Sequence, residues 1–144
     1  ARILEQIDAL QLPAQADAAA LIGALRSPEP VIRYWAAVAA LRATTPPDVT
    51  ALFADAEPVV RLAAAEVVLR RGDNAAAWSI VEAVLKDATK SEARLFAVNV
   101  VARIPRPAPK AIVSVLALLA SSTAAGGGEN YTARAAEHLV KKSE

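Results

Sequence analysis

One imidazole limits the chemistry open to this chain of 144 residues. His138 is the sole histidine, and it stands close to Lys141 and Lys142. A Ser–His–acid nucleophile needs an imidazole positioned by a carboxylate, whereas His138 reads as a side chain of a terminal helix. Metal binding meets the same limit. There is no cysteine, and no two carboxylates at helical spacing face a second such pair, so neither a zinc nor a calcium ligand set is legible. The expectation is therefore no catalytic residue, no metal and no cofactor.

Other chemistry-bearing patterns also resolve into structural roles. Gly126-Gly127-Gly128-Glu129 is the one glycine run. A phosphate-cradling loop follows a strand, opens a helix and carries a Lys; this run has neither the strand nor the Lys and reads as a flexible insertion between helices. Glu82 and Lys86 stand four apart, the spacing of a surface ion pair worth a few tenths of a kcal/mol. Arg70, Arg71, Arg103, Arg106 and Lys110 form a local basic cluster near the ends of predicted helices. The helix macrodipole favours cations there; read functionally, the cluster would meet an anionic ligand or an acidic protein surface.

The elements that position these residues are announced by a phrase that occurs three times. Val31-Ile32-Arg33-Tyr34-Trp35-Ala36-Ala37 returns as Val59-Val60-Arg61-Leu62-Ala63-Ala64-Ala65 and again as Glu92-Ala93-Arg94-Leu95-Phe96-Ala97-Val98. Arg33 and Arg61 are 28 residues apart, Arg61 and Arg94 33. Recurrence at that interval marks helical hairpins that bury their apolar faces against one another. Trp35 and Phe96 share one repeat position, where the middle copy has Ala63; equivalent placement predicts packing into the core. Tyr34 and Tyr131 are better candidates for exposed partner contacts, as aromatic residues are enriched in such anchors.

Along the chain, Ile3, Leu4, Ile7 and Leu10 lie on one helical face, and Pro13 closes that partial unit at 1–13. Asp17 can cap the next helix, striped by Leu21, Ile22 and Leu25, and Ser27-Pro28-Glu29-Pro30 turns into a helix over 31–42. That unit spans 16–44. The next, 46–72, has a short first helix with Val49, Leu52 and Phe53 inward and a second helix over 59–71 ending at Gly72. The third, 73–104, opens at Asp73-Asn74; Trp78, Val81, Val84 and Leu85 stripe its first helix, and the second covers 92–104. Pro105, Pro107 and Pro109 fix an extended link into an atypical last unit, 108–142, with its final helix over 130–142. The predicted fold is all-α: one domain over 1–144, a short right-handed α-solenoid of stacked hairpins.

Composition agrees. Alanine supplies about a quarter of the residues, and it combines the best helix propensity with close approach of helix axes. Sixteen basic and 15 acidic side chains leave a net charge of +1, which argues against a nucleic-acid partner. A helix-repeat protein that binds duplex DNA is the weaker alternative, and salt-dependent affinity would be its sign. The most apolar stretch, 111–120, is too short to span a bilayer. The absence of Met and the helical pattern that begins at Ala1 point to a piece of a longer protein.

The order helix, turn with Asp or Pro, then Val-Arg-x-x-Ala-Ala at the start of a second helix resembles a HEAT repeat over essentially the whole chain. In that family an Asp near the turn and the Arg of the second helix form a ladder between neighbouring units. The resemblance implies that role for Arg33, Arg61 and Arg94 with Asp55 and Asp87; the first unit has Ser27 in place of the Asp. The stretch Ser27-Pro28-Glu29-Pro30-Val31-Ile32-Arg33-Tyr34-Trp35-Ala36-Ala37 is similar to HEAT-like regions C-terminal to the catalytic domain of bacterial sulfatases. So is Asn130-Tyr131-Thr132-Ala133-Arg134-Ala135-Ala136-Glu137-His138-Leu139. The sulfatase nucleophile motif, Cys or Ser followed by x-Pro-x-Arg, is absent here.

These readings converge on a non-catalytic scaffold that binds protein, as the accessory C-terminal region of a sulfatase-like hydrolase or as a self-standing module. Tyr34, Tyr131, Arg70, Arg71, Arg103 and Arg106 are its candidate partner contacts, and an apolar face on an end unit would mark the first alternative. The resemblance implies a periplasmic or secreted location, and the self-standing module a cytoplasmic one. Oligomeric state is open, since exposed end repeats can pair.

Overall fold

The structure is a computed structural model that describes residues 2–11, 18–122 and 131–143. Pro13, Asp17, the triglycine segment and the start of the last helix at Asn130 lie outside those residues. All regular structure among the described residues is helical, in two compact units, 1–72 and 73–144.

The first unit contains α1 (Arg2–Gln11), α2 (Ala18–Leu25), α3 (Pro30–Ala40), a 3-10 helix (Thr50–Ala54) and α4 (Pro58–Leu69). Helix α3 packs against α1, α2 and α4, and the 3-10 helix packs against α4. Both α3 and α4 begin at a proline after an extended Glu (Glu29 and Glu57) that offers no side-chain cap. Proline suits this position, because its missing N–H would have no helical partner and its fixed φ is already helical. Leu21, Leu25, Ile32, Ala36, Ala37, Val60, Ala63 and Ala64 form the core. The small side chains on α3 and α4 let those helices approach closely.

The expected short first helix of the second hairpin is a 3-10 helix. Only a few residues separate Pro46-Pro47 from the turn at Asp55, too few to repay the nucleation of an α-helix. Val49 and Leu52 are buried and Phe53 half-buried. Gly72 is not a left-handed cap: α4 ends through Arg70 in right-handed geometry, and the Gly72 amide donates to the Val68 carbonyl.

The second unit contains α5 (Ala75–Lys86), α6 (Ser91–Arg103), α7 (Lys110–Ser121) and α8 (Tyr131–Ser143). Helix α5 packs against α6 and α7, and α8 against α6 and α7. Each hairpin thus joins its own two helices, first helix touches first helix, and second touches second. Leu85, Val98, Val100, Ile112 and Leu116 are among its buried side chains. Asn74 caps α5, its side chain accepting from the Ala77 amide at 2.9 Å, while Asp73 accepts from Trp78 Nε1 at 2.8 Å. Asn74→Ala is expected to lower unfolding free energy by about 1 kcal/mol; a loss under about 0.3 kcal/mol in urea denaturation would show that another group caps α5.

Candidate functional site

Arg33 rises from the first turn of α3 and reaches two places. Its Nε and Nη2 donate to the Asp55 carboxylate at 2.6 and 2.9 Å, and its Nη1 donates to the Ser27 and Pro28 carbonyls at 2.9 and 3.0 Å. The Asp55 side chain is 4% exposed and that of Arg33 16%. Asp55 Oδ1 also accepts from the Glu57 amide at 3.0 Å. The guanidinium and this amide hold the carboxyl below the usual carboxylate range against the opposing effect of burial, and Asp55 in turn raises Arg33 above its ordinary value.

Arg61 repeats half of this pattern. Its Nη1 donates to the carbonyls of Asp55 and Ala56, at 2.6 and 3.1 Å. Those carbonyls stand six and five residues before it, as Ser27 and Pro28 do before Arg33. The turn repeats too: Ser27 Oγ accepts from the Glu29 amide as Asp55 Oδ1 does from Glu57. The third copy departs. Asp87 is seven residues before Arg94, one more than in the earlier copies. Its carboxylate accepts from the amide and hydroxyl of Thr89, which lower its pKa, with the Thr89 hydroxyl the larger influence. Arg94 Nε donates to the Leu85 carbonyl at 3.0 Å. All three arginines therefore satisfy backbone carbonyls, Arg33 and Arg61 those of the turn just before their helix and Arg94 that of Leu85 in the last turn of α5.

This carbonyl role was not read from the sequence. The signal was present, since an Arg at a fixed distance after a turn can only be recurrent if the turn is. Which carbonyls it meets depends on how the backbone closes.

Several candidate partner contacts are already engaged. Arg70 Nε and Nη2 donate to Glu66, at 3.1 and 2.8 Å, and the Glu66 side chain is buried. Arg71 donates to the carbonyls of Val67 and, 28 residues back, Ala43. Tyr34 is half-buried, its ring edge-on to Trp35 with centroids 5.4 Å apart. It therefore does not separate from Trp35 as the more exposed of the two. Trp35 and Phe96 are both half-buried, whereas Ala63 at the same repeat position is buried. Tyr131 is 61% exposed, and Arg103 is exposed in the last turn of α6. His138 is also exposed.

Arg106 differs from the other cations. It lies between Pro105 and Pro107 in the link from α6 to α7, and its Nε is buried with no hydrogen-bond partner. The link, the first turn of α7 and the last turns of α6 and α8 enclose a cleft of about 820 Å³. A second groove, of about 660 Å³, lies in the first unit between α1 and α2 and reaches Ser27, Pro28 and Ile32 of the following turn and helix.

Each unit carries exposed apolar side chains. In α1 and α2 these are Ile3, Leu4 and Ile22, with Leu4 67% exposed; in α7 Leu118 is 70% exposed. Of the predicted α1 stripe, Leu10 is buried and Ile7 half-buried. Among the described residues, no group of three or more His, Asp or Glu could hold a metal ion, and no helix is long and apolar enough to cross a membrane. No protein-family model matches the chain, and neither a curated protein nor a solved structure matches it.

Proposed function

We propose that this chain is a non-catalytic helical-repeat scaffold of HEAT-like hairpins that docks a protein surface. The observation that carries the reading is the exposure of Ile3, Leu4 and Ile22 on α1 and α2. Three large apolar side chains exposed on two helices of one unit are candidates for a surface that a partner covers. The repeat reading is supported by the hydrogen bonds that recur between the Arg33 and Arg61 turns. It is also supported within each unit by contacts between equivalent helices, α3 with α4 and α6 with α8, the order in which hairpins stack in a solenoid. The resemblance to sulfatase C-terminal regions names the docked surface as the catalytic domain of such a hydrolase; an independent binding module is the second reading.

The open reading frame around this stretch tests the first reading. It is expected to encode Cys/Ser-x-Pro-x-Arg and a metal-binding Asp pair upstream; a start codon or signal peptide directly before Ala1 leaves the independent module. Docking is tested by mixing the chain with that catalytic domain in sedimentation velocity. Leu4→Asp is expected to weaken the complex at least tenfold, about 1.4 kcal/mol. Unchanged affinity would remove α1 from the interface.

A further inference from the structure

We propose that the cleft beside Arg106 binds an amphiphilic anion, a carboxylate or phosphate head carried on an apolar body. The inference stands apart from the scaffold reading and rests on the second unit alone. The cleft's volume of about 820 Å³ falls in the size range of small-molecule sites, which are concave, mainly apolar and provided with a few converging polar groups. Its apolar lining includes Ile104, Val113, Leu116 and Leu139. Among the described residues its charged lining is Arg106, Lys110 and Lys142, three cations with no carboxylate.

The unpartnered N–H is the strongest sign of a ligand. A buried donor without an acceptor is costly, and native proteins supply one by protein, water or ligand. Arg106 Nε is such a donor, and a guanidinium is shaped to meet a two-oxygen head. The flanking prolines make the site stiff. Pro105 and Pro107 fix their own φ, and Pro107 also disfavours helical backbone at Arg106. The arginine is thereby presented with little backbone entropy left to lose on binding.

Of the neighbouring helices only α7 adds to the positive field; α6 and α8 bring their negative C-terminal ends to the cleft, which Lys142 offsets at α8. Lys110 is the first residue of α7, whose preceding Pro109 offers no side-chain cap, so the dipole of that helix favours an anion near its first turn. Lys142 comes from the last turn of α8. Its neighbour Lys141 is bound to Glu137, leaving the acid there engaged outside the lining. Three cations among apolar side chains match a ligand that carries both a charged end and an apolar body. They do not match a bare inorganic ion, which would leave the apolar side chains wetted.

The test is a titration of the full chain followed by NMR at the Arg106 Nε–H and the methyls of Val113, Leu116 and Leu139. Octanoate and octyl phosphate are expected to move both sets of signals together and to saturate, the stronger of the two identifying the preferred head. Inorganic phosphate and octylammonium are expected to bind at least tenfold more weakly. Arg106→Gln is expected to weaken octanoate binding at least tenfold with helix content unchanged. Arg106→Lys, which keeps the charge and loses the Nε–H donor, is expected to fall between.

Absence of saturable shifts up to about 5 mM, below which useful small-ligand affinities lie, overturns the proposal. Equal binding of inorganic phosphate reduces the site to a surface cation cluster, and equal binding of octylammonium reduces it to an unselective apolar groove. Tighter binding of an acidic peptide than of either amphiphile replaces it with a peptide groove.

Discussion

Arg33→Met is expected to lower the unfolding free energy by about 3 kcal/mol at neutral pH, because it strands a carboxylate that the fold has taken out of water. Methionine keeps the apolar stem but removes both bonds to Asp55 and the two donations to Ser27 and Pro28. Asp55 is left with the Glu57 amide, one donor for a charge that had three. An exposed pair would cost under about 1 kcal/mol. The 4% exposure of the Asp55 side chain is what places this pair nearer the buried limit. Urea unfolding of the two proteins decides between them, and a loss below about 0.5 kcal/mol would assign Arg33–Asp55 to the solvated class.

The pH dependence has a definite sign. The Arg33 guanidinium holds the Asp55 carboxyl below its unfolded value, so the folded state binds the proton more weakly than the unfolded chain does. The stabilisation is fully present above the ordinary carboxylate value near about 4 and is lost as pH falls through the lower folded value. The gap between wild type and Arg33→Met is therefore expected to be widest near neutrality and to narrow under acid. For Arg33 the shift is upward, and its contribution disappears only above the ordinary arginine range, where other groups already titrate. A gap that stays constant from neutral pH to about 2.5 would mean that Asp55 is not the partner lost.

Leu62→Ala is the second large effect, also expected to cost about 3 kcal/mol. Leu62 is among the largest fully buried side chains. Truncation removes its transfer energy and leaves a cavity that the surroundings fill only in part. Leu118→Ala is the control: the same chemical change at a 70% exposed site is expected to alter stability by under about 0.5 kcal/mol. Similar losses for the two leucines in chemical denaturation would contradict the burial pattern.

The helices were legible because their signals are local. The helices expected from Val31 and Val59 begin one residue earlier, at Pro30 and Pro58, Asn74 of the candidate pair Asp73-Asn74 caps α5, and the apolar spacing of Trp78, Val81, Val84 and Leu85 marks the buried face of α5. The Glu82–Lys86 ion pair also follows from spacing alone. The 3-10 helix was not legible as such. Its residues carry a helical pattern, and the length that rules out an α-turn appears only once both flanking turns are placed.

The candidate site divides in the same way. The sequence singled out Arg33, Arg61, Arg94, Asp55 and Asp87 by recurrence and Arg106 by its place in a basic cluster. It did not distinguish Arg70, whose guanidinium is bound to Glu66, from Arg106, whose Nε has no partner. Both are arginines near helix ends, and the difference lies in what the fold brings beside each. Nor did it foresee that Asp87 accepts from Thr89, two residues away, a local bond that the ladder pattern does not consider.

By itself the sequence determined the helical class and most helix ends, because propensity, capping and 3.6-residue spacing act within a few residues of each other. Tertiary structure alone decided burial at equivalent positions. Leu62 is buried where Tyr34 and Leu95 are half-buried, and Ala63 is buried where Trp35 and Phe96 are half-buried. The repeat makes these positions equivalent along the chain, but exposure is set by elements remote in sequence that cover each helix. The same holds for the charged groups: which arginine meets a carboxylate, a carbonyl or a cleft depends on the closure of turns and the packing of helices, which no local pattern encodes.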